Sequence, residues 1–471
     1  MKRPIIEIDG FKQGILSDKT IPARDGFNFG AGIDIHTDPG ILQVSQKFTA
    51  MDEAAATDNI TDLIQWIVKY SDNNKLYGLG NGRIYDYDNT VADKWSLVHD
   101  DSNTCYGQGM IEFNGNLHWA SNNNLGKFDG TTWTDSFKAF TGGDIAWHPM
   151  VIFNGNLYVG DGKYVAKLET DDTWSATKLE LAPGYRIRSM AVYGDRIYIG
   201  TWRGTSLSDH AEATMFSWDG LSTTYETSFT LKEAGINALV SWNNYLVVFA
   251  GVKGNIYFFN GATLKKILKL PKSGTATGFS GEVYPGAVAE YQGGLLFGWS
   301  SANTEYAGIY SLNQDKEGSP LALTAPYITS TGDTAVQVVG ALLQSSSSGL
   351  YASFWDKSTA YYVDTASGNR RITTGAYSES QVYQVAPRGD RVRVDGVELV
   401  ASQLQTANTV AIKYKLDEAS AWSTLGTMTS TNQYKVMWGI GEVAKTVQIR
   451  LEFTTSSINN NTPEISLIRI Y

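Results

Sequence analysis

One pattern governs what this chain can become: a short apolar strand, an aromatic residue, a tight polar turn and a second apolar strand recur seven times. The turns are Tyr70-Ser-Asp-Asn-Asn-Lys-Leu76, Phe113-Asn-Gly-Asn-Leu117, Phe153-Asn-Gly-Asn-Leu157, Tyr193-Gly-Asp-Arg-Ile197, Trp242-Asn-Asn-Tyr-Leu246, Tyr291-Gln-Gly-Gly-Leu295 and the looser Gln344-Ser-Ser-Ser-Ser-Gly-Leu350. The apolar residue after each turn advances by 41, 40, 40, 49, 49 and 55 positions. A four-stranded propeller blade repeats every ~40–50 residues. Asn-Gly, Gly-Asp and Gly-Gly relieve the positive φ that a two-residue hairpin loop demands, so each turn is a hairpin signal.

The strand after each turn has one character, as in Leu157-Tyr-Val-Gly160, Ile197-Tyr-Ile-Gly200 and Leu295-Leu-Phe-Gly298. A third strand follows in most copies, for example Met215-Phe-Ser-Trp-Asp-Gly220 and Ile256-Tyr-Phe-Phe-Asn-Gly261, and the fourth is inferred. A single small sheet cannot bury both of its faces, so neighbours stack, and closing the stack removes the exposed ends. The expected fold is therefore all-β, a seven-bladed β-propeller over about 61–380. Because the seventh copy lacks the aromatic and sits further along, six blades with an extra hairpin is a variant. An unclosed meander or sandwich of hairpins is the alternative to a ring.

Outside the repeats the pattern changes. Residues 1–60 are turn-rich and read as an extended N-terminal arm, in which Ile41-Leu-Gln-Val-Ser-Gln46 supplies a strand and Met51–Lys69 has a helical look. Residues 381–471 hold segments such as Val410-Ala-Ile-Lys-Tyr-Lys-Leu416 and Val447-Gln-Ile-Arg-Leu-Glu-Phe453. Their period of two marks half-buried antiparallel strands, and five or six of them describe a C-terminal β-sandwich.

Of the 471 residues, 12% are aromatic and only 18% charged, which excludes a disordered chain. The formal net charge of −10 argues against gripping nucleic acid through its phosphates. Cys105 has no partner for a disulfide and leaves a cysteine zinc site without ligands. Glu7 and Asp9 interrupt any signal-peptide core, and no apolar run reaches the ~20 residues of a bilayer span, so a chain made in a cytoplasm without membrane insertion is expected.

The chemistry-bearing residues form no recognisable set. His36, His99, His118, His148 and His210 fall in different segments without zincin spacing. Gly78-Leu-Gly80-Asn-Gly82 lies between strands and reads as a turn. Asp86-Tyr-Asp88-Asn-Thr90 resembles the start of a calcium loop but lacks the sixth-position Gly and closing Glu. Asp129-Gly-Thr-Thr-Trp133 resembles part of the Asp-box turn of sialidase-like propellers, yet Arg83, Arg186, Arg188, Arg196 and Arg203 show no pattern for gripping a carboxylate. The lysines of Leu264–Lys272 read as the solvated side of a strand. No catalytic, cofactor-binding or metal-ligating residue is assigned, and the chain is expected not to be an enzyme.

The arm carries a resemblance. Gly10-Phe-Lys-Gln-Gly-Ile15, Asp25-Gly-Phe-Asn-Phe-Gly30 and Asp38-Pro-Gly-Ile-Leu-Gln-Val44 resemble the opening of bacteriophage tail and virion propeller proteins, such as tail nozzles. The final stretch, with Trp422-Ser-Thr-Leu-Gly426 and Thr462-Pro-Glu-Ile465, is similar to the small sandwich that closes several phage structural proteins. The resemblance implies a structural virion component that mediates assembly as a nozzle, hub or adaptor. It implies copies around a symmetry axis, contacts with tail, connector or fibre proteins, and passage of DNA without specific binding. An acidic passage wall has the sign that such sliding requires. A receptor- or carbohydrate-binding module and a sialidase-like glycan-processing enzyme are the other readings.

Overall fold

The computed structural model describes the chain except for residues 1–3, 17–24, 52–59, 89, 91–94, 102–108, 144–145, 204–211, 271–280, 302–305, 315–320, 325–326, 332–335, 346–348, 357–359, 387–389, 418, 431–433 and 457–461. The described residues are all-β, with no helix among them. The repeats form antiparallel meanders of four strands, of the kind found in propellers. Sheet 1 comprises Trp66–Lys69, Leu76–Leu79, Arg83–Tyr87 and Trp95–Asp100, and sheet 2 Met110–Phe113, Asn116–Ser121, Asn124–Phe128 and Trp133–Ala139. Sheets 3, 4 and 5 begin with Met150–Phe153, Tyr185–Tyr193 and Ile236–Trp242. Sheet 6 begins with Val288–Tyr291, and sheet 7 with Val336–Gln344.

The hairpin chemistry is as the sequence demands. Both central residues have positive φ at Asn114/Gly115 (51° and 72°), Asn154/Gly155 (48° and 72°) and Asn243/Asn244 (49° and 62°), a type I′ geometry. At Gly194-Asp195 only Gly194 is positive, at 60°, the mirror type II turn.

The first strand of each sheet lies against the first strand of the next, and that of sheet 7 lies against Trp66–Lys69 of sheet 1. The repeated glycine that ends the second strand permits this approach. A Cβ on Gly200 would stand 2.5 Å from Ile236 Cγ2, and one on Gly298 2.3 Å from Val339 Cβ. Between the sheets lie apolar clusters such as Ile197, Ile199, Phe216 and Trp218.

The N-terminal residues are distributed among distant sheets. Ile6–Asp9 pairs antiparallel with Ile465–Ile470, while Gly14–Ile15 pairs in parallel with Leu321–Leu323 of sheet 6. Phe29–Ala31 pairs with Tyr377–Glu379, and Gln46–Ala50 supplies the fourth strand of sheet 7. Within the stretch expected to give one strand, Gln43–Val44 pairs with Ile33–Asp34. The helical look of residues 51–69 is corrected over its described part: Trp66–Lys69 is a strand, and Ile60 and Ile64 are buried. The buried Ile60, Ile64 and Ile67 keep a helix-like spacing, but the pairing of Trp66–Lys69 with Leu76–Leu79 fixes the strand.

Two further sheets follow the repeats. One orders Ile6–Asp9, Ile465–Ile470, Val392–Ala401 and Lys435–Ala444. The other orders Ser423–Met428, Thr409–Leu416, Thr446–Thr454, Tyr377–Glu379 and Phe29–Ala31. Val397, Leu399 and Ile468 of the first share a buried cluster with Ile412, Ile449 and Leu451 of the second.

Candidate functional site

At one end of the sheets, where first strands begin and second strands finish, polar and aromatic side chains converge. Arg188 sits at a register shift in Tyr185–Tyr193, between Ile187 and Ser189. Such bulges re-aim side chains. Its guanidinium is 3% exposed, donates to Asn237 Oδ1 at 3.2 Å and to Glu282 Oε2 at 2.5 Å. It lies 4.7 Å from the Trp147 ring and 4.8 Å from that of Trp202. Asn237 occupies a second register shift, between Ile236 and Ala238, and its Oδ1 also accepts from Trp202 Nε1 at 3.2 Å while its Nδ2 donates to the Gly251 carbonyl at 2.7 Å. Backbone bonds with Ser300 in both directions hold Glu282 in place. One ion pair, buried at Arg188 and partly exposed at Glu282, thus links sheets 4 and 5 to the segment that bridges to Ser300.

A buried carboxylate stands nearby: Glu233 Oε1 accepts from Asn255 Nδ2 at 2.7 Å and from the Tyr257 hydroxyl at 2.6 Å. Burial first, then the Glu233 carboxylate, raises the Tyr257 hydroxyl above its ordinary range. Burial and the Glu282 carboxylate do the same to Tyr284. Both phenols therefore stay protonated and act as hydrogen-bond donors.

Tyr284 also lines a cavity of about 320 Å³ together with Asp62, Gln65, Asn81, Trp355 and Tyr361. Asp62 Oδ2 takes Arg83 Nη1 at 2.9 Å and the Tyr85 hydroxyl at 3.0 Å. This end of the molecule is therefore charge-compensated, aromatic and rich in fixed hydrogen-bonding groups.

The residues singled out in the sequence are scattered. His118 is buried with Nδ1 3.2 Å from the Gly126 carbonyl, and His148 sits between the carbonyls of Gly160 and Asn122. His99 bonds Asp135 at 2.7 Å and stacks on Trp133. His36 lies apart beside Asp34, its pKa lowered by burial. His210, Cys105 and Lys272 lie outside the described residues. Gly82 is a turn residue with φ 79°. Asp86 is in a strand with its carboxylate 2.6 Å from Lys75, and Asp88 is turned onto Thr90. Among the described residues no group of three His, Cys, Asp or Glu is placed to hold a metal ion.

Asp129 accepts the amides of Thr131 and Thr132, and Asp219 and Asn260 repeat this turn in sheets 4 and 5. Of the five arginines, Arg186 and Arg188 share Trp147, at 4.6 and 4.7 Å, and Arg203 lies over Tyr185. Arg83 and Arg196 belong to other ion pairs. Trp147, Asn237, Glu282, Gln65 and Trp355 were not singled out by sequence. The only local signal was Arg186-Ile-Arg188, whose alternation the bulge alters.

The described residues form an all-β protein of four-stranded, propeller-like sheets with a cluster of buried polar and aromatic side chains at one end. Neither a protein-family model nor a curated protein matches the chain. Among solved structures it is similar to the extracellular domain of a one-component system from B. thetaiotaomicron, at 12% identity and TM-score 0.48, covering 77% of this chain and 44% of that one. The chain thus spans less than half of that neighbour. A glycoside hydrolase family 43 arabinoxylan arabinofuranohydrolase from Bacillus subtilis matches at 11% identity and TM-score 0.32, covering 90% of this chain and 99% of the other. An exo-beta-1,3-galactanase from Phanerochaete chrysosporium matches at 10% and 0.29, covering 78% and 96%. These two correct the expectation that the chain is not an enzyme: glycoside hydrolases are among its structural neighbours, and a fold of this kind does not exclude catalysis. At such identities and scores no substrate passes from them to this chain.

Proposed function

We propose that the chain is a structural component of a phage virion, a tail nozzle, hub or adaptor protein that joins neighbouring tail proteins around a symmetry axis. In this reading residues 61–380 are a seven-bladed β-propeller, closed by the strand Gln46–Ala50 from the arm of residues 1–60, and residues 381–471 are a β-sandwich. The side-by-side order of the first strands, with sheet 7 against sheet 1, supports the ring.

The observation that carries the assembly role is the edge strand Lys435–Ala444. Among the described residues its ten residues pair on one side only, with Val392–Ala401. Beside and along it Tyr434, Met437 and Val443 are 63%, 53% and 53% exposed. Long apolar edges template pairing with another chain, and natural proteins usually blunt them. A strand of a neighbouring tail protein is the occupant that this edge suits. Mass spectrometry and antibody labelling of purified phage particles test the proposal. The expected result is the chain at fixed stoichiometry with label on the tail, and reduced incorporation of a Met437→Lys, Val443→Lys double variant. Absence from the particles overturns it.

A further inference from the structure

The cavity between sheets 7 and 1 has a composition that the assembly role does not use. Three aromatic side chains, Tyr284, Trp355 and Tyr361, share its wall with Asp62 and Gln65. Its ~320 Å³ lies at the small end of the range for small-molecule sites.

Its polar atoms ask for donors. Gln65 is 9% exposed, and its Oε1 is buried with no hydrogen-bond partner. Asp62 receives Arg83, Tyr85 and Thr61 on Oδ2, whereas among the described residues no hydrogen bond falls on its Oδ1. A buried acceptor left unmade costs roughly 1–3 kcal/mol, and a ligand that supplies a donor recovers it.

Two chemical classes offer donors to carboxylate and amide oxygens within aromatic walls: hydroxyl-rich rings, and cationic amines held by the π faces. The charge arithmetic separates them. Arg83 Nη1, 2.9 Å from Asp62, already compensates the carboxylate, and a cation in the cavity would meet that guanidinium's field. A neutral ligand meets no such cost. Sugar rings combine apolar C–H faces, which pack on Trp and Tyr, with hydroxyl donors at their edges.

We infer that this cavity is a binding site for a neutral saccharide, one ring of which stacks on the Trp355 and Tyr361 walls while its hydroxyls donate to Gln65 Oε1 and Asp62 Oδ1. The inference is independent of the virion proposal, because it needs only this cavity and a purified chain.

The test is ligand-observed NMR and tryptophan fluorescence titration of the full chain. The probes are D-glucose, D-galactose, N-acetyl-D-glucosamine and lactose, their methyl glycosides, and choline as the cationic control. Saturable binding of at least one neutral sugar is expected, with choline silent. Preference for a methyl glycoside identifies the end of a glycan as the source, and preference for the reducing sugar a free one. Trp355→Ala weakens binding about tenfold or more, and Gln65→Met, which keeps size and removes the acceptor, about three- to tenfold. Gln65→Met carries the test if Trp355→Ala does not fold. No saturable binding by any sugar, binding of choline in place of sugar, or affinity unchanged in a folded Gln65→Met variant overturns the inference.

Discussion

The Tyr70 hydroxyl of sheet 1 donates to the Gly115 carbonyl at the hairpin tip of sheet 2, at 2.8 Å. The same link recurs from Tyr193 to Asn244 at 2.7 Å and from Trp242 Nε1 to Gly293 at 3.3 Å. At these three turns the preceding aromatic therefore reaches the next sheet's turn. Where it is Phe113, Asn114 Nδ2 makes the crossing instead, to the Thr170 carbonyl at 2.9 Å. After Phe153 it is the Tyr158 hydroxyl that crosses, to the Gly220 carbonyl at 3.0 Å.

Tyr70→Phe keeps the ring and removes the donor. Loss of one such bond costs about 1 kcal/mol. Urea unfolding should show that decrease for Tyr70→Phe, and a smaller one for Tyr193→Phe, whose bond is exposed to water.

Gly298→Ala places a methyl against Val339 and overpacks the junction of sheets 6 and 7. A loss of about 1–3 kcal/mol is expected. The companion change Val339→Ala should recover part of it, because the clash is with that side chain. Thermal unfolding of the two single variants and the double variant checks the coupling.

Arg188→Met leaves the part-buried Glu282 without its cation. Breaking one side of a fully buried pair costs roughly 3–5 kcal/mol, and the partial exposure of Glu282 lowers the expected loss to about 1–3 kcal/mol. Replacing both, as Arg188→Met with Glu282→Gln, should cost less than Arg188→Met alone. Chemical denaturation of these two variants distinguishes a stranded charge from lost packing.

Two buried groups give opposite pH dependences. Burial raises the Asp364 carboxyl from 3.8 to about 6, even though Ser330 donates to it twice. The folded chain therefore keeps this proton longer than the unfolded one, and stability declines as pH rises from about 4 to 6. Burial lowers His118 from 6.5 to about 4, so the unfolded chain takes that proton first and stability declines as pH falls through the same region. Each effect amounts to roughly 3 kcal/mol. Asp364→Asn should remove the first slope and His118→Asn the second, read as melting temperature between pH 4 and 7.

The hairpins were legible because their tips carry local chemistry: Asn114-Gly115 and Gly194-Asp195 dictate their own backbone. The fourth strand of sheet 7 was not, since Lys47-Phe48-Thr49 finds its partner across more than three hundred residues. Thr49 lies opposite Thr365, and nothing within the arm announces that pairing. The Arg188 cluster was hidden for a related reason. Arg188, Asn237 and Glu282 come from three sheets, and two of them stand at register shifts that strict alternation does not anticipate. Glycine at 200 and 298 was visible as a repeat, but its purpose as a clearance for the neighbouring sheet needed the neighbour.

The pairing of Thr49 with Thr365, 316 positions later, sets an order of events during synthesis. Sheets 1 to 5 draw their strands from contiguous sequence and are free to form as they leave the ribosome, whereas sheet 7 waits for its own three strands before it captures the early segment. Until then Phe48 lacks Leu350, Ala352, Phe354 and Ala366, sheet 7 members of its buried cluster. Ile6–Asp9 waits longer still, for Ile465–Ile470, so a chaperone that shields the arm would protect two early segments whose partners are made last.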